Sequence, residues 1–130
     1  MKIGFWVAFV LVLCACKKKE DFVPRNNIEG TWNWISTSKD STFYEDTATS
    51  SNNQVLNLID YQNIDWKRND TVYYNGIYHY AFKESVIQGT SKWIMDLSGI
   101  PYGFVLNHSG DTLRLQEDRV DGYVYRFLKQ

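Results

Sequence analysis

The sequence predicts an all-β domain, folded as an eight-stranded antiparallel up-and-down barrel, with a β-sandwich as the alternative. From residue 28 onward, apolar and aromatic side chains recur at every second position in short runs that are separated by turn residues. This alternation is the pattern of half-buried strands, and no segment shows a sustained helical period. A meander of eight strands would have two unpaired edges, and closure into a barrel removes both of them.

Eight segments carry the strand pattern. In the first segment Trp32 and Trp34 share one face, and in the last segment Tyr123, Tyr125 and Phe127 do. The predicted strands are residues 28–36, 54–60, 64–68, 71–82, 92–97, 102–107, 112–116 and 123–129. Because most of the connections are short, we expect strands that are neighbours in sequence to pair antiparallel.

Three stretches depart from the regular pattern. Residues 38–53 are rich in Ser, Thr, Asp and Asn, which predicts a long loop, and loops of this length are often functional lids. Gly76 interrupts the apolar row of the segment 71–82, which predicts a bulge or bend at that position. Residues 83–91 combine strand-like and turn-like residues and stay ambiguous.

A short apolar leader precedes the domain. Residues 3–13 are apolar apart from Gly4, which is too short for a membrane-spanning helix of about 20 residues. The length fits the apolar core of an export signal, about 7–15 residues. We therefore divide the chain into a signal peptide at residues 1–15, a tether at 16–27 and the folded domain at 28–130.

The end of the leader reads Leu13-Cys14-Ala15-Cys16 and resembles a lipobox, the processing motif of bacterial lipoproteins. The resemblance implies that Cys16 is lipidated and that acyl chains anchor the domain to a membrane. The lysine-rich tract that follows is similar to the one in surface-exported lipoproteins of Bacteroidota. We therefore expect a cell-envelope protein held at the outer membrane, on its periplasmic side or at the cell surface. The alternative is an ordinary secretory signal with an unmodified cysteine nearby.

The composition argues against several classes of partner and cross-link. Residues 28–130 carry nine Lys or Arg against thirteen Asp or Glu, a net charge of −4 with histidine neutral. No basic patch that could follow a phosphate backbone is visible, which argues against nucleic acid. No cysteine lies beyond Cys16, so the core has to hold without disulfides even though the export route would permit them.

The sequence contains no recognisable catalytic constellation. It has no Gly-x-Ser-x-Gly elbow, no His-Glu-x-x-His motif and no Gly-rich phosphate loop. Its two histidines, His79 and His108, are far apart. Asp111, Asp118 and Asp121 lie near turns, where aspartate commonly bonds the backbone of its own turn. We predict a protein that is not an enzyme and that uses no metal or cofactor.

An ordered set of short motifs resembles the lipocalin family, and in particular small lipocalin-like lipoproteins of Bacteroidota. The motifs are Gly30-Thr31-Trp32, Leu56-Asn57-Leu58, Gly76-Ile77-Tyr78, Gly110-Asp111-Thr112-Leu113 and Asp121-Gly122-Tyr123-Val124-Tyr125. The resemblance implies an eight-stranded barrel over residues 28–130, with residues 38–53 as a lid across the open mouth. It also suggests Arg126 as the late arginine that stacks on the signature tryptophan, Trp32.

Aromatic residues make up 16% of the chain, and their function depends on whether the barrel is filled. An eight-stranded barrel either packs its interior with side chains or holds one small ligand. Most of the rings are expected to be core, since each buries about 150–250 Å². The residues we select as lining a ligand site near the lid are Trp34, Trp66, Tyr78 and Tyr80.

Two functions follow from this pattern. The first is a membrane-anchored binding module for a small apolar or amphipathic ligand. The second is a solid-core interaction or assembly protein of the envelope that meets a protein partner through an apolar outer face and has no small-molecule ligand. The outward-facing apolar positions that would form such a patch are Tyr73, Ile77, Ile94, Val105, Val124 and Leu128.

Overall fold

The computed structural model describes residues 28–39, 44–60 and 62–130, and the predicted signal peptide, the tether and Cys16 lie outside these ranges. In the described part the chain forms nine strands. They are β1 (Gly30–Lys39), β2 (Tyr44–Thr47), β3 (Gln54–Ile59), β4 (Asn63–Arg68), β5 (Thr71–Glu84), β6 (Ser91–Leu97), β7 (Phe104–Ser109), β8 (Thr112–Glu117) and β9 (Tyr123–Lys129).

Eight of the nine strands close into one antiparallel barrel, which confirms the predicted fold class. β1 and β3 to β9 pair in chain order, and β9 returns to pair with β1 from Trp32↔Lys129 to Lys39↔Tyr123. β5 pairs with β4 through its first half and with β6 through its second half. This stagger between neighbouring strands is what tilts the strands of a closed barrel.

The ninth strand corrects the prediction of a continuous loop over residues 38–53. β1 extends to Lys39, and Ser36–Lys39 pairs antiparallel with Tyr44–Thr47 of β2. β3 pairs with the same edge of β1 in the first part of that strand, opposite Gly30–Asn33. The edge that β3 leaves free is thus capped by a short hairpin strand. The side chains of β2 face the solvent or the barrel mouth and need not be apolar. The strand therefore lacks the alternation of apolar and polar residues from which strands are predicted.

Two β-bulges shape one end of the barrel. The register between β1 and β9 shifts between Trp34 and Ser36, and the register between β4 and β5 shifts at Trp66/Lys67, which leaves Tyr73 as the extra residue. A bulge adds a residue to one strand and changes the face to which the following side chains point. The bend predicted at Gly76 is therefore displaced to Tyr73. At Gly76 itself a side chain would collide with the Tyr74 hydroxyl and with Ser98.

The inner face of the barrel is occupied by sixteen buried apolar residues in one cluster. Trp66 is central to its rings, with Tyr125 at 5.1 Å, Phe127 at 5.9 Å and Phe104 at 6.4 Å between ring centroids. At the other end of the cluster, Trp32 donates its indole N–H to the carbonyl of Ile28 at 2.8 Å. The pairs around Trp66 are tilted or edge-to-face, which is the favoured geometry of aromatic rings.

The predicted stacking of Arg126 on Trp32 is wrong. Alternation along β9 places Arg126 opposite Ser36, and its guanidinium donates to the Ser38 hydroxyl at 2.9 Å. The cation over the Trp32 ring is instead the ammonium of Lys129, at 5.6 Å from the centroid.

The outer face also has a buried row. Ile94, Val105 and Val124 are at most 1% exposed and align with Gln116 across β6 to β9. The turn at residues 85–90 borders this row, since Ile87 and Gln88 line a cleft together with Gln116. Asp118 fixes the turn by accepting hydrogen bonds from the Ser85 hydroxyl and from two backbone N–H groups, those of Val86 and Ile87. Half of the predicted outer apolar patch is therefore covered by the protein itself.

We expect Phe127→Ala to lower the free energy of unfolding by about 3–5 kcal/mol, because it empties a fully buried site in the ring cluster. The matched control is Leu128→Ala on the same strand, where the side chain is 47% exposed and the loss should be about 0.5 kcal/mol. Urea unfolding followed by tryptophan fluorescence measures both. Equal losses for the two variants would contradict the inward orientation of β9.

Candidate functional site

An open cleft of about 240 Å³ lies at the end of the barrel where β1 ends and β9 begins. Strands β1, β3, β4 and β9 form the rim, and β2 forms the outer wall. The lining residues are Thr37, Tyr44, Asp46, Gln54, Arg68, Tyr123 and Tyr125. We call this site the mouth cleft. It combines one guanidinium, one carboxylate, a carboxamide and three phenol rings.

The floor of the mouth cleft is attached to the ring cluster by two indole hydrogen bonds. The indole N–H of Trp34 donates to the Thr37 hydroxyl at 2.8 Å, and that of Trp66 donates to Gln54 Oε1 at 2.9 Å. The β1 bulge makes the first bond possible, because it turns Thr37 to the same side of the strand as Trp34. Both polar groups of the floor are therefore held in place by buried rings.

Arg68 provides the positive charge of the mouth cleft. Its guanidinium lies 3.5 Å from the centroid of the Tyr73 ring and 5.8 Å from that of Trp66. Its Nε atom is buried, and among the described residues it has no hydrogen-bond partner. Stacking on aromatic rings compensates part of the cost of burying a guanidinium, but it leaves the in-plane N–H donors unused.

A buried carboxylate, bonded to the cleft-lining residues Tyr123 and Tyr125, is fully engaged in structural bonds. Glu117 is 3% exposed and accepts from Tyr102 Oη at 3.2 Å, from Tyr125 Oη at 3.3 Å and from the backbone N–H of Tyr123 at 3.0 Å. Arg119 donates to it through Nε at 3.1 Å and Nη2 at 2.9 Å. Burial and the adjacent Glu117 charge raise the pKa values of Tyr125 and Tyr102, so both phenols stay protonated and donate.

The outer wall of the mouth cleft comes from the hairpin strand β2. Tyr44 packs edge-on against Tyr123 at 5.9 Å, and the Lys39 ammonium lies 5.2 Å from the Tyr123 centroid. The Asp46 carboxylate accepts from Asn52 Nδ2 at 3.1 and 3.3 Å. The segment expected to be a lid thus contributes a ring and a carboxylate to the mouth cleft.

The four residues selected from the sequence separate into two groups. Trp34 and Trp66 lie directly below the mouth cleft, bonded to residues that line it. Tyr78 and Tyr80 stack on each other at 6.5 Å in a separate row of rings that continues to Trp93. A role for these four in binding stays a prediction. Cys16, the predicted lipidation site, lies outside the described residues.

The sequence reasoning missed Arg68, Gln54 and Thr37. Arg68 lies two positions after the buried Trp66, and Gln54 lies two positions before the buried Leu56. Strand alternation alone therefore predicts that both side chains point inward at the ends of their strands. Thr37 carried no such signal, because the bulge that turns it inward has no glycine or proline to mark it.

Neither of the two histidines lines the mouth cleft. His79 is exposed, 3.7 Å from an Asp96 oxygen, and His108 lies edge-on to Trp32 at 5.7 Å. Residues 28–39, 44–60 and 62–130 hold no group of three or more His, Cys, Asp or Glu placed to share a metal ion. Within the same ranges, no helix has the length and apolarity to cross a bilayer.

Comparison of the chain with models of protein families finds none that matches, and no curated protein or solved structure matches it significantly. The structure itself shows an eight-stranded antiparallel barrel, which is consistent with a lipocalin-like fold.

We expect the stability of the protein to fall steeply above pH 10, and we expect Tyr125→Phe to make that fall shallower. The folded-state pKa of Tyr125 is raised by burial and by Glu117, so the stabilisation is complete below the unfolded pKa of about 10 and is lost as the pH rises above it. At neutral pH the variant should lose only about 1 kcal/mol, for its hydrogen bond to Glu117. Urea unfolding from pH 7 to 11 measures this. Parallel pH profiles for the two proteins would contradict it.

Proposed function

We propose that the chain is a lipid-anchored, lipocalin-like binding module of the cell envelope, and that it takes a small amphipathic ligand in the mouth cleft. The observation that carries the proposal is the Arg68 guanidinium, which lines an open cleft while its buried Nε has no hydrogen-bond partner among the described residues. Buried polar groups are normally paired, and an exception requires an explanation. A bound ligand would provide the missing acceptor.

The position of the cleft favours binding at the rim rather than deep in the barrel. Binding sites usually combine apolar and aromatic walls with a few polar groups that fix orientation. The interior below the cleft is occupied by packed rings, among them Trp66 and Phe127 at 2% and 0% exposure. A ligand that entered further would have to displace them, whereas the mouth cleft already offers ring faces and polar groups together.

The mixed lining explains why the ligand should be amphipathic. Tyr44 and Tyr123 present phenol rings, while Gln54 and Arg68 present donors on the opposite strands of the rim. A purely apolar molecule would leave the donors without partners, and each such buried group costs about 1–3 kcal/mol. A molecule with one apolar and one polar end satisfies both sides.

A second candidate is the solid-core interaction protein with no small-molecule ligand. The packed interior favours it, as do the exposed apolar side chains of Val72, Tyr73 and Ile77, which are 54–56% exposed on β5. Since Ile94, Val105 and Val124 are buried, the apolar outer surface that remains for a partner is smaller than the sequence suggested.

For the anchor, we propose that Cys16 carries the lipid. The support is the lipobox-like Leu13-Cys14-Ala15-Cys16 between an apolar leader and a polar tract. Each buried acyl CH₂ contributes about 0.8 kcal/mol, so more than one chain on the N-terminus holds a domain firmly at a bilayer.

Ligand binding is tested with protein purified from its own host and examined by native mass spectrometry for a retained small molecule. In parallel, the environment-sensitive dye 1-anilinonaphthalene-8-sulfonate should bind saturably. Tyr44→Ala removes one wall of the mouth cleft and should weaken dye binding about fivefold or more, which is roughly the loss of one ring contact. Phe82→Ala, at a partly exposed ring outside the cleft, is the matched control. No retained molecule together with no saturable binding would exclude a small-molecule site.

Lipidation is tested by growing cells with labelled palmitate. The wild type and Cys14→Ser should incorporate label, and Cys16→Ser should not, because only Cys16 follows a small residue at the cleavage point. Label that persists in Cys16→Ser, or that is lost in Cys14→Ser, would show that the assignment of the lipid to Cys16 is wrong.

A further inference from the structure

We propose that the polar end of the ligand is a carboxylate, and that Arg68 holds it in the mouth cleft. This assignment rests on the proposed binding function and specifies the chemical class of the ligand. It follows from three features of the cleft: the unused donors of Arg68, the engagement of the neighbouring carboxylates and the rings beside them.

The donors of Arg68 are available for an anion. In the part of the chain that the structure describes, the guanidinium contacts the rings of Tyr73 and Trp66 but forms no ion pair within 4.0 Å. Stacking on Tyr73 fixes the plane of the guanidinium, and because Nε is buried, the edge available to the mouth cleft is the one that carries the two Nη groups. That edge matches a carboxylate through two parallel N–H···O bonds, which are among the strongest hydrogen bonds in proteins.

The protein's own carboxylates do not occupy this edge. Glu117 accepts from two cleft-lining residues, Tyr123 and Tyr125, and it is also held by Arg119 and by the Tyr102 hydroxyl. Asp46 lines the same cleft, and its two oxygens accept from Asn52. Neither carboxylate forms an ion pair with Arg68 within 4.0 Å, and an external carboxylate could form one.

The rings of the mouth cleft suit the rest of such a molecule. Tyr44, Tyr123 and Tyr125 all line the cleft, so an aromatic or other flat apolar body would contact phenol rings there. A phosphate is less suitable, because a group with a charge near −2 would meet one guanidinium and the Asp46 carboxylate in the same small cleft. The preferred ligand is a flat monocarboxylate.

The test compares 2-naphthoate with 2-naphthamide, which has the same shape and no charge. Isothermal titration calorimetry is done on full-length protein in lipid nanodiscs, with empty nanodiscs to subtract partitioning. The variants are Arg68→Gln, which removes the guanidinium, Arg68→Lys, which keeps the charge without the planar fork, and Asp46→Asn, which removes the opposing charge. Lys83→Gln is the control for net charge, since Lys83 pairs with Asp96 outside the cleft at 2.6 Å.

Four results would support the assignment. Wild type and Lys83→Gln bind naphthoate about tenfold or more tightly than naphthamide, which is the expected size for a charge-assisted bidentate pair. Arg68→Gln abolishes the preference, and Arg68→Lys retains only part of it. Asp46→Asn increases the affinity for naphthoate more than the affinity for naphthamide. If Arg68→Gln fails to fold, the wild-type preference and the Asp46→Asn result decide the question.

Other results would overturn it, and they separate the two proposals. Equal affinity of the wild type for naphthoate and naphthamide would reject the carboxylate and leave a binding module intact. Tighter binding of 2-naphthyl phosphate than of naphthoate would replace the carboxylate with a phosphate. If none of the three compounds binds and no ligand is retained from the host, the proposed binding function fails together with the assignment.

Discussion

The pairing of β1 with β9 is the constraint on which the rest of this structure depends. It joins the first and last strands of the barrel through seven facing pairs from Trp32 to Lys39, and it removes the two edges that an eight-stranded meander would otherwise expose. Once the sheet is closed, its inner face has no access to solvent except at the ends. The rings of Trp32, Trp66 and Phe127, all at most 2% exposed, occupy that face and provide the apolar burial that stabilises a domain without disulfides.

Because the interior of the barrel is filled with side chains, a binding site has to lie at one of its ends. The mouth differs from the interior because polar side chains line it. Two bulges, at Ile35 of β1 and at Tyr73 of β5, interrupt the alternation just before the strands reach the rim. The first bulge turns Thr37 inward, and the second places the Tyr73 ring against Arg68. Polar side chains therefore replace apolar ones within two or three residues of the core. Thr37 and Gln54 are each held by a buried indole N–H, and Arg68 is held by the ring face of Tyr73. Such support keeps a polar group in a fixed orientation when no ligand is present.

The regular part of the fold could be predicted from the sequence because alternation survives along most strands. Residues such as Leu56, Leu113 and Phe127 sit at every second position and are buried, as expected. The missed parts depend on contacts between distant residues. β2 is a strand only because the second half of β1 has a free edge, and the direction of Thr37 and Tyr73 depends on bulges that no glycine marks. The turn at residues 85–90 is fixed by Asp118, 33 residues after Ser85, a partner that no local pattern could identify.

The most direct test of the account is whether β1 and β9 pair in solution. Nuclear Overhauser effects between backbone protons of the facing pairs Asn33–Leu128 and Thr37–Tyr125 would measure it, together with the exchange rates of the amide protons along both strands. We expect cross-strand effects for both pairs and slow exchange on both sides of the Ile35 bulge. Absence of these effects, with rapid exchange along both strands, would show an open sheet with two raw edges and would contradict the closed barrel on which the mouth cleft depends.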